Sequence, residues 1–466
     1  MAYTNPSSHL VVVSSPGVGH VTPLAGLTKL LVLRHQFTAT FVTFSDVPCS
    51  LPSSISTIQL PPPPLKDIHS DTHILTRICL TIAHSVSPLR QILISLQRTT
   101  RIAAVIFDLF GSDFLSMVKE LGIPAYVFIT SNYFFLSFML HLPILEDTTT
   151  GEFRDLPEPL LLPGCVPLKG EDFLEPVQKR KSEVCAWVVH LARHYDLFDG
   201  ILVNSFEALE AGATKFFKKR GGGNPPVWPI GPLIWPGSDV DSEQPSHKCI
   251  EWLNQQSSGS VVFVCFGSGG TLTWEQTREL ALGLEMSGQS FLWVVRAPNE
   301  TEISGSFFNP NKTGDDPLGF LPEGFEERTK ERGMIVLSWA PQREVLGHCA
   351  TGGFVSHCGW NSTLESFVNG VPMVAWPLYS EQRMNAVLLV EGAKVALRVN
   401  VGEDGVVRRD EVAKVVKNLI EGEEGKEVRQ RMQELKKEAV RAMEKEGSSY
   451  KAMEEVVSIL KDTTAA

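Results

Sequence analysis

Two ionisable residues stand where a parallel sheet would expose them. His20 follows the apolar run His9–Ser15 across the turn Pro16-Gly-Val-Gly, and Asp108 closes the run "AAVIFD". A carboxylate that holds one imidazole nitrogen leaves the other as a base, as in the His–Asp part of a nucleophilic triad. Taken alone, the pair also fits a histidine that merely packs at a helix start.

A second set lies in "WAPQREVLGHCATGGFVSHCGWNSTLESFVNGVPMVAWPLYSEQ", Trp339–Gln382. Trp339 and Pro341 end a strand and offer an aromatic face on which a flat base can stack. "HCGWNST" turns through Gly359 into a helix, so that backbone N–H groups and the Asn361 and Ser362 side chains converge on a helix N-terminus, a site suited to a diphosphate. His357 can add a donor to that phosphate. Glu365, one turn into the helix, can accept ribose hydroxyls, as acidic residues do in dinucleotide folds. Glu381 and Gln382 follow the strand "VPMVAWP" and suit sugar hydroxyls. The glycine-rich turn "CFGSGGT", Cys265–Thr271, places Ser268 for phosphate oxygens.

Short apolar strands alternating with helical patterns must position these residues, and the alternation occurs twice. The first series predicts strands at His9–Ser15, Thr38–Ser45, Ser56–Leu60, Ala103–Asp108, Ala125–Thr130 and Gly200–Asn204, with helices such as Thr72–Gln97 and Ser182–His194. The second predicts Ser260–Gly267, Ser290–Arg296, Met334–Trp339, Gly352–His357, Pro372–Trp376 and Val395–Val399. Between them, Gly231–Lys248 is rich in Pro, Gly, Ser and acids. The expected fold is therefore α/β, two Rossmann-like doubly wound domains facing a cleft, with domains at 1–235 and 249–449 and a linker at 236–248. In such sheets ligands sit beyond the carboxyl ends of the strands, where His20 and Asp108 both stand. Pro298–Phe320 reads as a long surface loop.

Bulk properties exclude several classes. The 466 residues, 43% of them apolar, suffice for two large cores. A net charge of −11 provides no basic field for a nucleic acid. No run reaches the length of a membrane span, and the start "MAYTNPSS" lacks a basic, apolar leader, so a cytoplasmic protein without membrane span is expected. The eight cysteines lack C-x-x-C pairing and read as free thiols. Asp239-Val-Asp241 sits in the linker and reads as a solvated turn, not a metal site. The pairs His348-Cys349 and His357-Cys358 miss zinc spacing. "FGSGG" lacks the first glycine of a nucleophile elbow, and "PGVGHVTP" is not G-x-G-x-x-G, which disfavours a nicotinamide cofactor. Trp360, by itself, reads as a core residue.

The Trp339–Gln382 stretch resembles the signature box of the plant family 1 UDP-dependent glycosyltransferases. Phrases such as "VIFDLFGSD", "GILVNSFEALE" and "LYSEQRMNAVLL" are similar to the hydroquinone (arbutin-forming) and phenolic branch. The resemblance implies the GT-B fold, with an acceptor-binding N-terminal domain, a UDP-sugar-binding C-terminal domain and a final helix, about 450–461, that returns to the first domain. Carried to matching positions, it implies that Trp339 stacks on uracil, Ala340 pairs with it through its backbone, and Gln342 and Glu365 hold the ribose. His357, Asn361, Ser362 and Ser268 would bind the diphosphate, and Trp360, Glu381 and Gln382 the sugar, with Gln382 resembling glucose-preferring members. It implies His20 as general base oriented by Asp108, and inverting transfer from UDP-glucose to a small aromatic hydroxyl with no metal and no other cofactor. The expected partners are a UDP-sugar and a small aromatic acceptor, and the expected state is a monomer. A non-catalytic nucleotide-sugar binder, N-, S- or C-glucosylation and another UDP-sugar remain alternatives. The loop "SDVPCSLPSS" is shorter than in close relatives and "FITSNYFFLSF" more aromatic, which implies a flatter, larger acceptor than hydroquinone. Cys349-Ala350 stands where Pro-Ser is common and should matter little.

Overall fold

Most strands away from the sheet edges are buried along their length and rich in Val, Ile, Leu and Phe, because parallel strands are covered on both faces. The computed structural model describes residues 8–44, 51–61, 72–234, 245–300 and 318–462. By its contacts the chain forms two compact units, 1–238 with 440–466, and 239–439. Cys49, Asp239 and Asp241 lie outside the described residues, as does most of the "SDVPCSLPSS" loop.

The first unit holds β1 (His9–Val13), β2 (Thr38–Phe44), β3 (Ile55–Leu60), β4 (Ile102–Asp108), β5 (Ala125–Ile129), β6 (Gly200–Val203) and β7 (Val227–Pro229). All pair in parallel, in the order β3-β2-β1-β4-β5-β6-β7. Its helices are α1 (Val18–His35), α2 (Ile74–His84), α3 (Val86–Gln97), α4 (Leu115–Glu120), α5 (Tyr133–Thr148), α6 (Glu183–Ala192) and α7 (Ala211–Lys219). The seventh strand was not expected from sequence. It is three residues long and ends in a proline that cannot donate to a ladder, which restricts it to a sheet edge.

The helix predicted over Thr72–Gln97 is two helices, α2 and α3, bent by 46°. Pro88 has no N–H for the His84 carbonyl, and its ring crowds that carbonyl. The hydroxyl of Ser85, at the break, donates to Thr81 O (2.7 Å). Among the described residues no single helix is long and apolar enough to cross a membrane, and α2 with α3 passes only as this bent pair.

The second unit contains α8 (Pro245–Leu253), β8 (Val261–Cys265), α9 (Trp274–Ser287), β9 (Ser290–Val295), α10 (Phe325–Thr329), β10 (Gly333–Leu337), α11 (Gln342–Gly347), β11 (Thr351–Ser356), α12 (Trp360–Asn369), β12 (Met373–Ala375), α13 (Gln382–Val387), β13 (Ala396–Arg398), α14 (Arg409–Glu421) and most of α15 (Glu423–Met443). Its parallel order is β10-β9-β8-β11-β12-β13. The last helix, α16 (Ser448–Asp462), belongs to the first unit, where Met453, Val456, Val457 and Leu460 join the core beside β1 and β4. In both sheets the order reverses at the first strand, between β1 and β4 and between β8 and β11. A crevice opens at such a switch point, beyond the carboxyl ends of the strands.

Candidate functional site

At the first switch point β1 runs in register with β4, Val13 opposite Phe107, so Asp108 comes level with the residues just after β1. The chain turns at Gly17, whose φ of 117° is open to glycine but costly for other residues, and α1 begins at once. His20 therefore lies in the first helical turn, its amide donating to Gly17 O (3.0 Å). Its Nδ1 is 3.4 Å from Asp108 Oδ2, and the Asp108 side chain is 2% exposed. That spacing is too long for a formed hydrogen bond, and Nδ1 has no other partner.

Three donors fix the carboxylate. Ser15 N (3.0 Å) and the Ser15 hydroxyl donate to Oδ2, and Phe110 N (3.1 Å) donates to Oδ1. The Phe110 ring packs edge-on against His20 with centroids 5.1 Å apart. Ser15 and Phe110 were not singled out from sequence. A hydroxyl residue directly before the Pro-Gly turn was the available signal for Ser15.

At the second switch point, four strand ends contribute. After β8 comes the glycine-rich turn, with Ser268 exposed. After β10 comes Trp339, 53% exposed, followed by buried Ala340. After β11 comes His357, and Gly359 then begins α12 with no side-chain cap, which leaves that end to backbone donors. The His357 ring lies against the backbones of Gly267 and Gly359: a Cβ on either would come within 2.5 Å of its Nε2. Burial, aided by the Arg296 charge, pushes this imidazole down to about 3. His357 is therefore neutral near pH 7, a polar donor without charge, and its buried Nδ1 has no hydrogen-bond partner.

Gln342, Ser362 and Glu365 meet directly. Gln342 Nε2 donates to Ser362 Oγ (2.9 Å) and to Glu365 Oε2 (2.6 Å). Burial pushes the Glu365 carboxyl up, and the Gln342 bond opposes that shift. Asn361 is half-buried, and Trp360 is 3% exposed at the start of α12. After β12, Gln382 Oε1 accepts from Leu378 N (2.8 Å) and Tyr379 N (3.0 Å). With its carbonyl oxygen engaged there, Gln382 can offer a sugar only its N–H groups. Glu381 accepts from Ser380 Oγ (2.7 Å) and from Asn385 Nδ2 (3.4 Å), whose other acceptor is Cys358 O (2.9 Å). Asn385 thus joins the Glu381 turn to the His357 turn.

The donor-side residues predicted from sequence all fall in the second unit, and His20 and Asp108 in the first. Among the described residues no three His, Cys, Asp or Glu side chains gather as a metal would require. The seven described cysteines are free.

Residues 236–444 match the family described as UDP-glucoronosyl and UDP-glucosyl transferase. The chain is 49% identical over 458 residues to UDP-glycosyltransferase 72B3 of Arabidopsis thaliana, covering 96% of this chain and 95% of that one. It is 48% identical over 457 residues to the hydroquinone glucosyltransferase of Rauvolfia serpentina, covering 96% and 97%. Among solved structures, Phytolacca americana UGT2 complexed with UDP-2fluoro-glucose and pterostilbene matches with a TM-score of 0.88 at 46% identity, over 98% of this chain and all of that one.

Proposed function

Because this chain belongs to the UDP-glycosyltransferase family and is a UDP-sugar-dependent transferase, we propose that it moves glucose from UDP-glucose to a hydroxyl of a small phenolic or flavonoid-type acceptor, with inversion to a β-glucoside and His20 as general base. The observation that carries this reading is the His20–Asp108 arrangement at the β1/β4 switch point, with the carboxylate fixed by Ser15.

A phenol has a pKa of about 10 and is mostly protonated near neutrality, so a positioned base helps it attack. With Nδ1 turned to Asp108, Nε2 takes the proton. The phenol oxygen's electron pair forms the bond to the anomeric carbon, and the carbon–oxygen bond to the diphosphate breaks on the opposite face, its pair leaving with UDP. Trp339 stacks on uracil, which its exposure favours, and Ala340 pairs through its backbone. Gln342 and Glu365 exchange their mutual hydrogen bond for the ribose hydroxyls. Neutral His357, Asn361, Ser362, Ser268 and the start of α12 hold the diphosphate through N–H and O–H dipoles, with no metal needed to stabilise the leaving group. Trp360, Glu381 and the Gln382 amide hold the glucose. The similarity to a hydroquinone glucosyltransferase and to a pterostilbene complex supports an aromatic acceptor.

The test is a mass-spectrometric screen of wild type and His20→Ala with UDP-glucose, UDP-galactose and UDP-glucuronate against simple phenols, monolignols, flavonoids and anilines. Wild type should add one hexose from UDP-glucose to phenols, and His20→Ala should lose about 10²–10⁴-fold in rate with UDP affinity unchanged. Undiminished transfer to phenols by His20→Ala would remove the base assignment.

A further inference from the structure

One cation of the second unit has no place in the roles above. Arg296 follows β9, the strand between β8 and β10, so its side chain stands between the glycine-rich turn and the Trp339 turn. Its Nη1 donates to Gly267 O and to Gly270 O (3.3 Å), and its Nη2 donates to Ser338 O (3.0 Å). Gly267 and Ser338 both have positive φ, at 76° and 65°. Carbonyls in such tight turns leave the sheet ladder and need another donor, and a planar guanidinium supplies several at once. These turns carry Ser268, the Gly267 backbone against His357, and Trp339. The hydrogen-bond partners of Arg296 are neutral carbonyls, and its charge acts on His357.

We propose that Arg296 is a positioning residue for the donor: it clamps the diphosphate turn to the uracil-stacking turn, so that UDP meets both in one fixed geometry, and it adds a positive charge beside the diphosphate. The proposal rests on the donor-site assignment of Trp339–Gln382. Lysine at this position keeps a charge but lacks the rigid fork that spans three carbonyls, whereas glutamine loses both charge and fork.

Calorimetric titration of UDP into wild type, Arg296→Lys and Arg296→Gln, with steady-state kinetics for both substrates, separates the roles. We expect Arg296→Lys to raise the UDP Kd and the KM for UDP-glucose about tenfold, and Arg296→Gln about a hundredfold, with the acceptor KM unchanged and both variants, though lower in melting temperature, fully folded at the assay temperature. Variants that bind UDP within about twofold of wild type would overturn the proposal. So would a lysine variant that melts far earlier but binds UDP normally while folded, since the guanidinium would then hold the unit and not the site. Wild type that fails to bind UDP would overturn the donor-site assignment itself.

Discussion

Packed against two glycine backbones, the His357 imidazole sits at about 3, whereas an unfolded histidine titrates near 6.5. The depressed value gives the sign. Above pH 6.5 neither state holds the proton and the group is neutral to stability; between 6.5 and 3 only the unfolded chain takes it up, so stability falls as pH falls. The slope from this one residue is about 1.4 kcal/mol per pH unit near pH 5. Chemical denaturation of wild type and His357→Asn between pH 7 and 4 should show wild type losing stability faster by about that slope. Parallel curves would mean that His357 is reached by water and protonated in the folded protein. In the proposed diphosphate role, a neutral His357 would hydrogen-bond a phosphate oxygen without adding charge, so UDP affinity should not rise as the pH drops through the ordinary histidine range.

Helix α5 shows how an element is held from far along the chain. Asn132 accepts from Phe135 N (2.8 Å), and Glu210, which precedes α7, accepts from Tyr133 N (3.1 Å) and Phe134 N (2.8 Å). Together they satisfy three of the four N–H groups that a helix leaves open at its start. Burial pushes the Glu210 carboxyl up to about 6 despite these donors and the Ser205 hydroxyl. Glu210→Ala would leave two amides and a hydroxyl buried without their acceptor, at a cost of about 3–5 kcal/mol. Thermal unfolding should register that loss, and hydrogen exchange should quicken first at Tyr133–Phe135; unchanged exchange there would show that Asn132 alone fixes the start. Asn132 could be read as a local cap, whereas Glu210 could not, because its partners are brought to it only by the β5–β6 pairing. The same limit hid Ser15 and Arg296. His20, His357 and the glycine turns were legible because each stands at the end of an apolar run, a purely local pattern. Arg296 also ends such a run, but its role depends on turns after two other strands. The break at Pro88 was masked because both halves of the 72–97 stretch keep one apolar face.

At the scale of the whole molecule, sequence order and fold order diverge at the C-terminus. Apart from β7, both sheets were legible as two series of strands; the apolar pattern of α16 does not say which core it joins, and only the family resemblance implied its return to the first unit. Its buried residues pack with β1, β4 and α1, and the Ser449 hydroxyl donates to Gly231 O. The first unit therefore depends on a segment that the chain delivers only after the second unit is complete. Leu460 is fully buried in that core, so Leu460→Asp places an uncompensated charge or a neutralised acid there, at a cost of several kcal/mol. Hydrogen exchange should then lose protection in β1 and β4 while β8 and β11 keep theirs, because the second unit has a separate core around Val262, Trp293 and Leu419. UDP binding should survive, since every donor residue named above lies within 239–439, whereas glycosyl transfer should fall with the His20 face. Loss of UDP binding in step with transfer would show that the two cores unfold as one, and that the helix stabilises the donor unit as well as its own.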